Sequence, residues 1–405
     1  MTAVEVWPDT LLCGTAVAVS APRLYFDWNS TTPPLREAIE AITAAWADGW
    51  GNPASVHAEG RAARAHLDEA RATVADLFDA RPSDVIFTSG GTEATNIALS
   101  APFADGQGAL VYAPIEHASV HAVATHLSER GVEIRKARVH KTGTIDIDDV
   151  RRLLARGGVR LVAVQAVNGE TGVVQPVDKV AALAHQHGAV VHVDAIQAVG
   201  RVAPPSDGWL AHADTVAVAA HKIRGPKGIG ALVSRVGHPL RPILRGGSQE
   251  RGLRPGTQDA ALASGFAVAA AAAKRSLPEY EAVASVRDAL QRGLLELGCV
   301  AINGEGLRAP QVVHASFRGW SSPELVAALD LEGLAVSGGA ACHAGVREAS
   351  STLLAMWGDS PEEHWRFPGT VRFSLPPWAT HEDAARALGL VRGVMERGAA
   401  ALYGG

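Results

Sequence analysis

Apolar positions recur along this chain at two different spacings. From Pro34 to Trp50, and again from His57 to Asp79, they return at helical spacing, which predicts amphipathic helices. Asp84–Ser89 (DVIFTS) is a short apolar run instead, predicting a buried strand that leads through GGTEATNIAL into a helix. The alternation then repeats: strand LVYAP, helix ASVHAVATHL, strand VEIRKARV, helix IDDVRRLLA, strand VRLVAVQAV and helix VDKVAALAHQH, followed by strands AVVHVDA and DTVAVAA. Strands separated by helices in this way imply right-handed βαβ units, hence an α/β fold with a large, mostly parallel sheet between helices. The Ala-rich helix Asp259–Lys274 closes this region. After Ser276 the pattern changes. Helix EAVASVRDALQRGLLEL precedes separated strands (CVAIN, QVVHASF, LAVSG, TVRFSL) with helices between them and a last helix from His381, which predicts a smaller α+β domain. The stretch before Leu24 has no periodicity and reads as an arm.

Composition narrows the function classes. With 47% hydrophobic and 20% charged residues over 405 positions, the chain is not disordered and buries its core without staples. A net charge of −5 leaves no footprint for nucleic acid or an anionic membrane. No run approaches the ~18 apolar residues of a membrane span, and the acidic start MTAVEVWPDT differs from a basic secretory signal, so a cytoplasmic protein is expected. Cys13, Cys299 and Cys342 are too few and too scattered for a disulfide framework or a Cys-rich zinc site, and no metal site is expected. There are only six lysines, so a lysine inside a motif stands out.

Three motifs carry candidate chemistry. Ser89-Gly90-Gly91-Thr92-Glu93 joins a strand to a helix, where glycines and free N–H groups suit a phosphate; a plain turn is the alternative. Asp194, in HVDAIQ, ends an apolar strand, where a carboxylate can pair with a protonated ring nitrogen or cap a helix. Lys222, after the strand DTVAVAA and before Gly225-Pro226-Lys227-Gly228, suits a Schiff base with an aldehyde cofactor, a surface turn lysine being the alternative. Together these are the contacts pyridoxal phosphate (PLP) needs.

The sequence resembles the cysteine desulfurases of the class V aminotransferase group, PLP-dependent enzymes of fold type I. The resemblance runs from about Leu24 to the C-terminal helix, through FDWNSTTP (Phe26–Pro33), GNPASVHAEGRAAR, FTSGGTEATN, VNGETGVVQP (Val167–Pro176), HVDAIQAVG, HKIRGPKGIGAL, GGSQERGLRPGT and LAVSGGAAC (Leu334–Cys342). It implies an arm over 1–33 that contributes to the small domain, a PLP-binding domain over 34–275 and a small domain over 276–405 carrying the catalytic cysteine. Lys222 is then the cofactor lysine and the acid/base at the substrate Cα. Asp194 pairs with the ring nitrogen, and His117 lies over the ring and is a second catalytic acid/base candidate. Asn168 and Gln197 contact the ring oxygen or the substrate, while Gly91, Thr92 and His221 hold the phosphate. Thr257 reaches the phosphate from the other subunit of a homodimer with composite sites. Asn29 and Arg372 bind substrate, Arg372 through its carboxylate. Cys342 is the nucleophile that takes the sulfur of L-cysteine as a persulfide, leaving L-alanine, and passes it to an acceptor. His343 beside it is read as facing solvent.

Four departures bear on substrate and acceptor. Ala219 stands where many relatives have a phosphate-binding serine, and GGAAC replaces SGSAC. After Arg372, LPPW replaces Leu-Gly-Arg, and HWRFPG (His364–Gly369) reads as an insertion. GAACH also resembles selenocysteine lyases, so L-selenocysteine is the second substrate considered; an aminotransferase or β-lyase without a cysteine nucleophile is the third reading.

Overall fold

The structure, a computed structural model, describes residues 22–235, 238–339 and 350–403. Its strands, in chain order, are β1 (Leu24–Tyr25), β2 (Val85–Thr88), β3 (Ala109–Tyr112), β4 (Glu133–Lys136), β5 (Val159–Gln165), β6 (Val190–Asp194), β7 (Thr215–Ala219), β8 (Gly230–Ser234), β9 (Val300–Ile302), β10 (Val312–Phe317), β11 (Leu334–Ala335) and β12 (Thr370–Ser374). Seven of them form one sheet in the order β2-β8-β7-β6-β5-β3-β4. Within it β8 runs antiparallel to both neighbours and the remaining pairs are parallel.

The large sheet is apolar on both faces, which explains its nearly continuous apolar runs. Along β2, Val85 and Phe87 join one core with helices Ala58–Asp76 and Ala260–Ala273, while Ile86 joins another with helices Gly91–Ser100 and Ala118–Glu129. The same alternation separates Val216 and Val218 from Ala217 on β7.

The sequence reading did not anticipate β8. Its five residues, GALVS, follow a glycine-rich turn and return directly along β7, with Gly230 opposite Ala219. A hairpin return needs no intervening helix, so no helical punctuation marked it.

The small antiparallel sheet, ordered β12-β10-β9, is built differently. Val313, Ala315, Phe317, Val371 and Phe373 face an apolar core with helices Leu277–Leu295 and His381–Tyr403. His314, Ser316, Thr370, Arg372 and Ser374 alternate onto the opposite face, with His314 directly across from Arg372. The arm joins this body: β1 pairs in parallel with β11, and Leu24, Phe26 and Trp28 enter its core.

Candidate active site

The parallel strands deliver their chemistry where they end, at the carboxyl edge of the large sheet. Asp194 is the last residue of β6 and is buried, with Oδ1 accepting the Ile196 N–H at 3.0 Å. Burial raises its pKa, opposed by the charges of His117 and Lys222. His117 follows β3, caps helix Ala118–Glu129 by accepting the Ser119 N–H at 3.2 Å, and remains exposed. Lys222 follows β7, and its Nζ donates to the carbonyl oxygens of Asn29 and Ser30 at 2.6 and 2.8 Å.

Helix Gly91–Ser100 begins at the same edge. Its N-cap, Gly90, adopts φ +154° and offers no side-chain cap. A methyl on Gly91 would fall 2.1 Å from Ile196 Cδ1 and 3.9 Å from Ala219 Cβ, so the helix start is pressed against the turns that follow β6 and β7. Thr92 is exposed on this first turn. His221 is half-buried, with Nδ1 3.1 Å from Thr31 Oγ1. Burial and the neighbouring Lys222, Lys227 and Arg201 charges push its pKa down to about 4, so it is neutral at physiological pH.

Residues 27–32 thread between this edge and the small sheet. Asn29 is buried at 1% exposure, with Oδ1 accepting from Arg201 at 2.9 Å and from Gln311 at 3.3 Å, and Nδ2 donating to the Gly169 carbonyl. Its main-chain carbonyl accepts from Gln197 Nε2 at 2.9 Å as well as from Lys222. Arg201 ties the set together by donating to Gln197 Oε1 at 2.6 Å and to the Lys222 carbonyl at 2.5 Å.

From the polar face of the small sheet, Arg372 reaches the same threaded segment. It donates to Asp27 Oδ1 at 2.9 Å, Ser30 Oγ at 2.7 Å and the Gly169 carbonyl at 3.1 Å. Asn168 lies on the hairpin after β5. Its amide donates to the Ile115 carbonyl and Thr352 Oγ1, and its Oδ1 accepts from the N–H groups of Glu170 and Thr171 and from Thr171 Oγ1. In this arrangement both Asn168 and Asn29 direct their side chains into the scaffold of the site.

The profile of the class V aminotransferase family matches residues 24–386. The chain belongs to the class V aminotransferase family. A cysteine desulfurase of Cereibacter sphaeroides is 38% identical over 381 residues, spanning 93% of this chain and 96% of its own length. A solved NifS-like protein matches with a TM-score of 0.84 at 30% identity, covering 92% of this chain and 99% of its own. The structure of SspA in complex with cysteine matches at a TM-score of 0.75 and 28% identity, over 88% of this chain and all of that one (100%). The architecture is that of the PLP-dependent fold type I.

Class V enzymes depend on PLP, and the residues present fit that group. Asp194 is a buried carboxylate with one oxygen on a main-chain N–H, and a protonated ring nitrogen would offset the cost of its charge. The helix start at Gly91 and Thr92, which has no side-chain cap, would receive a phosphate, and His221 follows the same β7 edge as a neutral imidazole. Ala219 borders that helix start and contributes no hydroxyl. Among the described residues no cluster of three or more His, Cys, Asp or Glu side chains is suited to a metal, and no helix is long and apolar enough to cross a membrane.

Two assignments of this class V chain stand apart. Thr257 is exposed on the connection into helix Ala260–Ala273, and Cys342, with His343, lies outside the described residues. Of the departures, Pro361–Arg366 forms a short 3-10 helix in which Arg366 stacks on Trp357 and Trp365.

Sequence reasoning missed three residues. Arg201 sits one position past the matched HVDAIQAVG stretch, and its partners are remote in sequence. Glu116, beside His117, is fully buried, and burial holds its pKa well above the carboxylate range. Glu250 is buried at φ +47° and takes two hydrogen bonds from Arg71, at 2.6 and 2.7 Å, besides the Phe87 N–H. It thereby anchors the loop that carries Thr257. The only local signal for it is the charged pair Glu250-Arg251 between glycines.

Proposed function

We propose that this protein is a PLP-dependent cysteine desulfurase that converts L-cysteine to L-alanine and takes the sulfur on Cys342. The observation that carries the reading is the convergence of Lys222 and Arg372 on one threaded segment, residues 27–30, with the buried Asp194 carboxyl close enough to feel the Lys222 charge. The names of the relatives favour L-cysteine over L-selenocysteine and over a reaction without a cysteine nucleophile.

PLP, held by Lys222, Asp194, His117 and the helix start at Gly91, supplies the electron sink that acidifies the substrate Cα–H. Arg372 receives the substrate carboxylate, with Asp27 and Ser30 orienting its guanidinium. Lys222 Nζ takes the Cα proton, and the Asn29 and Ser30 carbonyls hold that amine on the site side of the arm. His221 enters as a neutral N–H donor to the phosphate. The Cys342 thiolate attacks the substrate sulfur, the Cβ–S bond breaks, and its electron pair returns to carbon, which is protonated to give alanine. The balance is L-cysteine plus Cys342–SH giving L-alanine plus Cys342–S–SH. The persulfide then passes to an acceptor. In this reading the enzyme is a cytoplasmic homodimer, Thr257 serves the phosphate of the neighbouring subunit, and residues 34–275 form the PLP-binding domain between an arm and a C-terminal small domain.

The test is the intact mass of the PLP-loaded protein after L-cysteine without reductant, with peptide mapping. One added sulfur on Cys342 with stoichiometric alanine is expected. Alanine formed with Cys342 unmodified would overturn the reading.

A further inference from the structure

Glu170 belongs to the VNGETG hairpin, yet its carboxylate serves a distant part of the chain. Oε2 accepts from Ser350 Oγ at 2.5 Å and Oε1 from Thr352 Oγ1 at 3.2 Å. Ser350 is itself the N-cap of helix Ser351–Trp357, accepting the Leu353 N–H at 3.2 Å, so the carboxylate fixes the first turn of that helix. Across the site, a methyl placed on Gly339 would lie 3.4 Å from Glu170 Oε2, 3.6 Å from Thr370 Oγ1 and 3.8 Å from His314 Nε2. Gly339 has φ +106°, and the preceding carbonyl, of Gly338, accepts from Thr370 Oγ1 at 3.0 Å. Of the two ends of the segment that carries Cys342, residue 350 is bonded to this buried carboxylate and residue 339 lies next to it.

The hairpin also touches the substrate end of the site. Gly169, next to Glu170, accepts from Arg372 and Asn29, and Asn168 donates to Thr352 Oγ1 at 3.3 Å. Three consecutive residues thus connect Arg372 to the C-terminal foot of the segment that carries Cys342.

We propose that Glu170 is a positioning residue for sulfur transfer: it fixes the C-terminal foot of the segment that carries Cys342, at Ser350–Thr352, next to the other foot at Gly339. This rests on Cys342 being the nucleophile. Misplacement by about 1 Å costs on the order of 10²-fold in rate, which sets the scale for losing the pin.

The test compares Glu170→Ala, Glu170→Gln and Ser350→Ala as PLP-loaded full-length proteins, with activity expressed per PLP bound. In Glu170→Ala, kcat should fall roughly 10–100-fold while KM for L-cysteine stays within about twofold. Glu170→Gln, which keeps an acceptor, should recover most of the loss. Ser350→Ala should cause a smaller loss, and adding it to Glu170→Ala should cost nothing more. Iodoacetamide labelling of Cys342, followed by peptide mass without substrate, should be faster in Glu170→Ala than in wild type. Unchanged kcat per bound PLP with unchanged labelling would overturn the proposal, even if the melting temperature drops. Labelling reports on the pin whether or not Cys342 accepts sulfur. A wild-type enzyme that gains no sulfur there would sink the functional reading, and a labelling change in Glu170→Ala would still support the pin.

Discussion

The two sheets contribute to the site in opposite ways. The large sheet is largely apolar on both faces, and Asp194, His117 and Lys222 all lie at or beyond the ends of its strands. The small sheet buries one face and keeps the other polar, so Arg372 and His314 project from within strands. The first geometry delivers groups at one edge of a sheet, and the second presents a polar wall to the threaded segment. Chemistry therefore reads as an end-of-run residue in one half and as the odd member of an alternating run in the other.

Replacing Arg372 by lysine probes the wall alone. The paired donors to Asp27, Ser30 and Gly169 are lost, and with them the bidentate hold on a carboxylate worth about 3 kcal/mol. KM for L-cysteine should rise roughly 10²-fold with the PLP absorbance unchanged. A rise below threefold would remove Arg372 from the substrate.

Arg201→Met tests the seam between the halves. It leaves the Gln197 and Lys222 acceptors without this donor and Asn29 Oδ1 with Gln311 alone, at about 2–3 kcal/mol of stability. Urea midpoints should fall accordingly, and PLP content with them. Retention of both would show that the threaded segment holds its place without this arginine.

Ala219→Ser sharpens the large-sheet edge. A hydroxyl beside the helix start should add one hydrogen bond to a charged phosphate, about 1.5 kcal/mol or roughly tenfold tighter PLP binding. Fluorescence titration of the apoprotein with PLP reads this directly, and unchanged affinity would place the phosphate elsewhere.

The last effect is silent at neutral pH and appears only in acid. Burial, reinforced by Arg372, lowers His314 from 6.5 to about 3. The unfolded chain therefore binds a proton between these limits that the folded chain refuses. Stability is full above pH 6.5 and falls as pH drops towards 3, by about 1.4 kcal/mol per unit for this residue. His192, lowered to about 3 by burial and His238, adds in the same direction from the large sheet. His314→Gln should flatten the acid limb of a urea-stability profile, and an unaltered slope would contradict a neutral buried imidazole.

The contrast also explains what was legible. Helices and buried strands of the large sheet carry strong periodicity, and Lys222, Asp194 and the Gly91 turn sit at its breaks. Strand β8 escaped because a hairpin needs no helical punctuation. Arg201 escaped for another reason: its partners are Asn29, Gln197 and the Lys222 carbonyl, and no local spacing encodes a bond across 172 residues. Asn29 illustrates the limit from the other side. Its motif marks it for the site, while only the fold reveals that its side chain holds the scaffold and its carbonyl holds the lysine.

The arm also imposes an order in time. Leu24 pairs with Leu334, and Asp27 waits for Arg372, more than three hundred residues later. At translation rates of about 5–20 residues per second, the first part of the site leaves the ribosome roughly 15–60 seconds before its last. The large sheet, complete by Ser234, can fold meanwhile around an unfinished centre. The bond between the arm and the small sheet thus forms only once residue 372 has been made, and a nascent chain truncated before it lacks that link.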